Sequence, residues 1–369
     1  MVSNEIQLTD SQTRQKEALI ERLLRSTSGV FEIFTIFIGY KLGYYQVLAN
    51  RGPLTSVSLA ALTGTYERYA REWLEQQTVS GILVVENPDA DAKSRLFRLP
   101  PGHAAALVAR ESLDYMTPLA QLAVSVTRPL DALLEAYRNG TGISLTEYGP
   151  DFVEGQANVN RAAFLYQLGT EWLPAIPDVH QRLTSDPPAR VADFGCGAGW
   201  SCIGMANAYP RIQVDGFDLD EPSISAAKEH LKDSGVSDRV AFYVRDAGDP
   251  SLAGRYDLVT AFECIHDMSD PVAALRTMHS LAGTDRTVLV VDERVGDAFT
   301  PEGNDVEWMM YGWSVLHCLP VGMANRPSAE TGTVMRTSTL VRYAQAAGFS
   351  EVEVLPIENN FFRFYRLHR

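Results

Sequence analysis

Cysteine is scarce in this sequence. Its 4 cysteines, Cys196, Cys202, Cys264 and Cys318, are scattered without metal-ligand spacing. That excludes a structural zinc site, so no metal is expected, and it points to reduced thiols in a cytoplasmic setting. Positive charge is also short, with 32 Lys+Arg against 46 Asp+Glu and a net charge of −14. Such a chain repels phosphate backbones and anionic lipids, so neither nucleic acid nor membrane is an expected partner. Long apolar runs are missing as well. The most apolar early stretch, residues 30–47, is broken by Glu32 and Lys41 and reads as a buried helix rather than a membrane span. The opening Met-Val-Ser-Asn-Glu-Ile-Gln has no basic segment leading into an apolar core, so no secretory signal is expected. No internal repeat or low-complexity run appears.

What is present is ordinary globular composition, 46% hydrophobic and 21% charged over 369 residues, enough for two or three domains. Residues 12–100 read as mainly helical with a short strand pair. Residues 101–185 read as a helical linker and substrate cap, ending near Ser185-Asp186-Pro187-Pro188. Residues 186–369 alternate strands and helices, the pattern of a parallel sheet covered on both faces. Near the start, residues 57–64 form a helix closed by Gly64, and residues 66–80 form a second, with Tyr69, Trp73, Leu74 and Gln77 at helical spacing. Residues 81–85 and 96–99 then make a hairpin. Helix, turn, helix, hairpin is a winged helix. Its presumed recognition helix carries Glu67, Glu72 and Glu75 against Arg68 and Arg71, a sum of −1, whereas a helix entering the major groove normally brings positive charge. An architectural role is therefore expected. The apolar helix before it, with Val30, Phe31, Phe34, Phe37 and Ile38, suggests a homodimer interface, with burial inside the monomer as the alternative.

The strongest motif runs from Arg190 to Trp200: a short apolar strand, then Asp193-Phe194-Gly195-Cys196-Gly197-Ala198-Gly199, then a helix over residues 200–208. Glycines there let the backbone approach a ligand at the carboxyl end of the strand. The dinucleotide fingerprint requires a small residue where Trp200 stands, and a P-loop requires Gly-Lys-Ser/Thr, so NAD and ATP fit poorly. The next strand ends in Asp218, 19 residues after Gly199, where a carboxylate can accept both ribose hydroxyls of a nucleoside. The strand after it ends in Asp246, which can accept from an adenine amino group. Strands over residues 255–263 and 286–292 follow. The last two strands, residues 351–357 and 361–367, are too close in sequence to be anything but an antiparallel hairpin.

These residues resemble the class I S-adenosylmethionine-dependent methyltransferases. The Asp-x-Gly-x-Gly-x-Gly turn, the acidic strand ends and the terminal antiparallel strand are features of that family. With the winged helix in front, the whole chain is similar to two-domain small-molecule enzymes of the bacterial kind related to plant-type O-methyltransferases, whose N-terminal domain dimerises. The resemblance implies a Rossmann-like seven-stranded α/β sheet with a terminal antiparallel strand. The implied cofactor is S-adenosylmethionine, the product S-adenosylhomocysteine, and the partner a small-molecule methyl acceptor. It puts Asp193, Gly195, Gly197 and Gly199 on the methionine side of the cofactor, Asp218 on the ribose and Asp246 with Ala247 on the adenine, and counts Cys196, Leu219 and Glu263 among the cofactor-binding residues.

Methyl transfer is an in-line displacement at an already activated carbon, so alignment and removal of an acceptor proton are the main tasks. The plant-type relatives carry a general-base histidine in a His-Asp-Trp motif after the fourth strand. His266-Asp267 matches it, while Met268 departs from the tryptophan. His266 is the candidate base, and a packing or substrate-contact role is the alternative. Trp308, Tyr311, Trp313 and His317 fall at helical spacings and are candidates for an acceptor pocket, with plain core as the alternative. Tyr148 lies in a Gly- and Tyr-bearing loop that reads as a lid. Two competing functions remain: a protein of this fold that binds the cofactor but performs another reaction, and a cofactor-sensing regulator.

Overall fold

The computed structural model describes residues 8–369, apart from the side chains of residues 284 and 285. It divides into two compact units, one through Val124 and the other Ser125–Arg369. The division falls after residue 100 because the Pro101–Leu107 helix lays Ala104 and Leu107 on the core of the first unit.

In the first unit, α1 (Asp10–Lys41) starts at a reciprocal cap between Thr9 and Gln12. Gly43, in a left-handed turn, separates it from α2 (Tyr44–Arg51). Two further helices follow, α3 (Ser56–Thr63), closed by left-handed Gly64, and α4 (Glu67–Val79). A hairpin of β1 (Val84–Val85) and β2 (Phe97–Arg98) completes the unit, extended by a bridge from Leu54 to Phe97. This is the expected winged helix. Tyr44, Tyr45, Leu48, Leu59, Trp73, Leu74 and Phe97 form its core, and Trp73 donates its indole N–H to the Thr35 carbonyl at 2.8 Å. Two details correct the sequence reading. Tyr69 faces solvent, because the buried stripe of α4 is Ala70, Trp73, Leu74 and Gln77. The 30–47 stretch is not one buried helix: it breaks at Gly43, and Val30, Phe31 and Ile38 stay exposed on α1. The arginines of α4 are occupied by its own acids, Arg68 with Glu72 and Arg71 with Glu67. No helix among the described residues is long and apolar enough to cross a membrane.

The second unit is built on a seven-stranded sheet: β3 (Arg190–Phe194), β4 (Gln213–Asp218), β5 (Val240–Val244), β6 (Tyr256–Phe262), β7 (Ala282–Glu293), β8 (Glu351–Val354) and β9 (Phe362–His368). Their spatial order is β5-β4-β3-β6-β7-β9-β8. All pairings from β5 to β7 are parallel, while β9 runs antiparallel to both β7 and β8. The expected parallel sheet and closing hairpin are both present. Alternation along β3 sends Val191 to one face and Ala192 and Phe194 to the other, each into its own apolar cluster. Strand order reverses beside β3, and the carboxyl ends on either side of such a switch leave a crevice for a ligand. The Trp200–Ala208 helix packs tightly on the Ala163–Trp172 helix, which winds in wider turns. A Cβ on Gly204 would stand 2.1 Å from the Phe164 carbonyl oxygen, and one on Gly169 would stand 2.1 Å from the Ala208 Cβ.

This crossing makes a stability test. Gly204→Ala forces two backbones apart and is expected to cost about 1–3 kcal/mol. Gly312→Ala, in the Asp305–Trp313 helix with no atom near its Cβ position, is expected to be neutral or stabilising by up to ~1 kcal/mol. Denaturant midpoints measure both, and equal midpoints for the two variants would refute the close-packing account.

Candidate active site

The turn after β3 is shaped by three glycines with positive φ, Gly195 at 64°, Gly197 at 50° and Gly199 at 81°. Gly195 lies against Cys264, where a Cβ would meet the thiol at 2.6 Å, and Gly199 lies against Phe242 and Ala227. Gly197 has no atom within 4 Å of a Cβ position, so the turn is open there. Its N–H donates to Asp218 Oδ2 at 2.8 Å, and Asp218 Oδ1 accepts from the Asp220 N–H at 2.9 Å. Each oxygen keeps a lone pair for a further donor. Burial pushes the Asp218 carboxyl up from its ordinary value. Cys196 is buried beneath the turn, its sulfur 3.0 Å from where a Gly216 Cβ would lie.

Asp193 does not face this opening. It is 1% exposed, and its oxygens accept from Ser201 Oγ at 2.5 Å and Thr260 Oγ1 at 2.6 Å, with Cys202 Sγ at 3.4 Å. Burial pushes its pKa up to about 6 despite these donors. The carboxylate acts as a strut that ties β3 to β6 and to the first turn of the following helix. With its oxygens taken by these donors, Asp193 is not placed for the methionine-side contact expected of it.

Beyond β4, Leu219 presents a side chain 61% exposed beside the Asp218 carboxylate. Asp246 lies two residues past the end of β5, exposed, its Oδ1 accepting from the Gly248 N–H at 2.8 Å; Ala247 is half-buried. The Asp246 carboxylate thus caps its own loop, because the strand stops earlier than the sequence suggests.

After β6 the chain gathers ionisable groups. Glu263 takes a left-handed backbone with φ 51°, and its Oε1 accepts from Asn160 Nδ2 at 2.8 Å. Burial pushes its pKa up to about 7. His266 is 2% exposed; its Nδ1 is 2.8 Å from Asp292 Oδ1 and 3.2 Å from Glu293 Oε2, and its Nε2 is 3.2 Å from Asp267 Oδ1. Burial alone lowers the imidazole pKa, but the carboxylates of Asp292, Glu293 and Asp267 outweigh it and hold the ring protonated well above the usual range. A charged ring with both nitrogens facing carboxylates has no lone pair to take a proton, so the geometry does not suit His266 to the base role. Asp292 and Glu293 carry the signal that marked Asp218, an acid at the carboxyl end of a strand, and the sequence reading passes over them. Ser201, Thr260 and Asn160 carry no such signal.

The aromatic segment is split by the fold. The Asp305–Trp313 helix leaves Trp308 74% exposed and Tyr311 at its surface beside Arg336, with Trp313 half-buried. The chain then tightens onto the loop after β6: Ser269 donates to the Gly322 carbonyl at 2.8 Å. His317 is buried there, stacked on Phe152 at 4.1 Å and edge-on to Tyr148 at 4.7 Å. Its Nε2 has no hydrogen-bond partner, and burial pushes its pKa down to about 4, so the ring is neutral. Tyr148 is fully buried, its hydroxyl donating to the Leu316 carbonyl at 2.8 Å. Its ring packs on Phe152 and His317.

Residues 185–319 match the model of a methyltransferase domain, and residues 33–110 match an Rv2258c-like winged HTH domain. The chain is similar to norajmaline N-methyltransferase of Rauvolfia serpentina, 32% identical over 108 residues, which are 29% of this chain and 37% of that one. It is also similar to the ubiquinone biosynthesis O-methyltransferase of Bordetella parapertussis, 38% identical over 100 residues, 27% and 40% of the two chains. The matches thus span little more than a third of the length of these curated relatives. Two solved structures share the fold end to end: the mitomycin 7-O-methyltransferase MmcR, at TM-score 0.71 with 20% identity over 97% of this chain and 99% of that one, and human N-acetylserotonin methyltransferase in complex with SAM, at TM-score 0.69 with 18% identity over 100% and 99%. The chain therefore carries a match to a methyltransferase domain behind a match to a winged HTH domain, and it shares its fold with these methyltransferase structures.

Proposed function

We propose that this protein is a small-molecule methyltransferase of the one-carbon-transferring class, using S-adenosylmethionine and releasing S-adenosylhomocysteine. The observation that carries the reading is the open glycine turn at Gly197, hydrogen-bonded to an Asp218 carboxylate that keeps acceptor capacity for two hydroxyls. Leu219, Ala247 and the backbone before Asp246 flank the place for an adenine. A natural-product acceptor fits the small-molecule relatives, norajmaline N-methyltransferase among them. A cytoplasmic location fits the reduced thiols. Sensing of the cofactor by a DNA-bound regulator is disfavoured by the self-paired arginines of α4.

Within this reading His266 is a positioning residue. Its imidazolium neutralises buried carboxylates and so fixes the loop after β6. The nitrogen suited to an acceptor proton is Nε2 of His317, which is neutral and unpartnered. Tyr148 and Trp313, with Tyr311 and Trp308 farther out, are proposed to frame the acceptor. A low pKa does not disqualify His317, because the oxonium formed as the methyl arrives on a hydroxyl is a far stronger acid than an imidazolium.

Calorimetry with S-adenosylmethionine and S-adenosylhomocysteine tests the donor. Asp218→Ala is expected to weaken both by about 1.5–3 kcal/mol, the range for hydrogen bonds to a charged group; unchanged affinity would remove Asp218 from the site. Methyl-labelled donor supplied to a host extract identifies the acceptor by mass spectrometry.

The two histidines separate by experiment. With the identified acceptor, His317→Ala is expected to slow single-turnover transfer at least about tenfold with donor affinity unchanged. His266→Ala is expected instead to lower stability by about 3–5 kcal/mol, because it strands buried carboxylates. The His266 contribution has a defined sign. Its folded pKa is raised, so its stabilisation is complete below about pH 6.5 and drains as pH rises through the folded value. Asp267 and Asp292 have lowered pKa values, so their share is present above about pH 4 and is lost in acid. Wild type and His266→Ala should therefore differ most in denaturant midpoint between about pH 4 and 6.5, and less at pH 9. A gap that widens with alkaline pH would contradict the ion-pair account.

The α1 face bearing Leu23, Leu24, Phe31 and Ile38, each more than 40% exposed, is proposed to pair with a second copy of the chain. Light scattering at micromolar concentration should give a dimer mass, and Phe31→Glu with Leu24→Glu should return a monomer. A monomeric wild type would sink the proposal.

A further inference from the structure

The acids gathered beyond β6 and β7 outnumber the cation among them, although burial pushes the Glu293 carboxyl well above its ordinary range. One imidazolium, His266, stands among Glu263, Asp267, Asp292 and Glu293. One carboxylate oxygen of this group, Asp292 Oδ2, is buried with no hydrogen-bond partner on a side chain 1% exposed, while Glu293 Oε2 lies 3.2 Å from His266 Nδ1. Uncompensated charge of this kind is costly unless a cation comes to it. Glu263 links the cluster to the glycine turn, since the next residue, Cys264, packs its side chain against the Cβ position of Gly195. Its Oε1 takes the Asn160 amide at 2.8 Å, a contact that holds the carboxylate in place without neutralising it.

The donor proposed above carries a full positive charge on sulfur, and its product carries none. The two otherwise share the same nucleoside and amino-acid groups. We infer that Glu263 is the counter-charge of that sulfonium, so that this site holds the charged donor in preference to its neutral product. The inference rests on the donor reading and deepens it. The turn and Asp218 recognise what donor and product have in common, while the acids beyond β6 read the charge that distinguishes them. Methyl transfer moves the positive charge off the sulfur. The attraction therefore weakens as the reaction proceeds and is gone when the product must leave. The turn-side contacts, common to both ligands, cannot supply that difference.

The test compares three probes by calorimetry: S-adenosylmethionine, S-adenosylhomocysteine, and sinefungin, which carries an amine in place of the methylsulfonium. Glu263→Gln keeps the shape and the oxygen that accepts from Asn160. It is expected to weaken S-adenosylmethionine and sinefungin by about tenfold, ~1.4 kcal/mol, and to leave S-adenosylhomocysteine unchanged. An equal loss for all three, or no loss for any, overturns the inference. Wild type gives a second readout that needs no variant. Glu263 faces Asn160, His266, Asp267, Asp292 and Glu293, and burial pushes its pKa up to about 7. The ratio of S-adenosylmethionine to S-adenosylhomocysteine affinity should therefore rise from pH 6 to pH 8 as the carboxylate ionises, and a flat or falling ratio overturns the inference. Wild type that binds none of the three overturns the donor reading itself.

Discussion

The second unit depends on one buried carboxylate. Asp193 sits at the end of β3, where the chain leaves the sheet for the glycine turn, and it holds Thr260 of β6 on one oxygen and Ser201 of the following helix on the other. Without those donors it would be a desolvated charge in the sheet. With them it fixes two strands and a helix to one point. The turn is then free to take left-handed backbone, and the Gly197 N–H donates to Asp218. A loop this open cannot define its own shape. Its shape comes from the strut beneath it and from Phe242, Ala227 and Cys264, which pack where side chains of the glycines would otherwise stand.

The same division of labour recurs one strand over. The loop after β6 carries Glu263, His266 and Asp267, and it is clamped by Asp292 and Glu293 at the end of β7 and by the residue 314–322 segment folded against it. Charge is buried there in quantity, and the histidine stands among three carboxylates that favour its protonated form. Charge balance and apolar stacking thus assign two histidines opposite states within one site. His266 among carboxylates is held protonated, while His317 between Phe152 and Tyr148 is held neutral.

The N-terminal unit has the winged-helix shape with few free positive charges on its second motif helix. Its helix, turn, helix and hairpin follow from the caps at Thr55 and Gly64 and from a core centred on Trp73. The helix that reads DNA in other winged helices is here neutralised by its own ion pairs. The apolar surface lies on α1, a helix that the motif itself does not require.

Much of this was legible in the residue order. Strand and helix periods, the Gly195–Gly199 spacing and the acidic strand ends of β4 and β5 depend on local steric and patterning rules, so the sheet, the turn and the winged helix could be read without coordinates. The roles of individual acids and histidines could not. Asp193 and Asp218 look alike in sequence, yet one is turned inward to Ser201 and Thr260 and the other outward beside an open turn. His266 fits a base motif, yet Asp292, 26 residues later in the chain, sets its charge. Whether a side chain is a strut, a counter-ion or a free nitrogen depends on burial and on partners distant in sequence. The order of residues settled which elements form and where the glycines bend. Only the folded chain, by bringing β3, β6 and β7 side by side, decided which charges are paired and which are not.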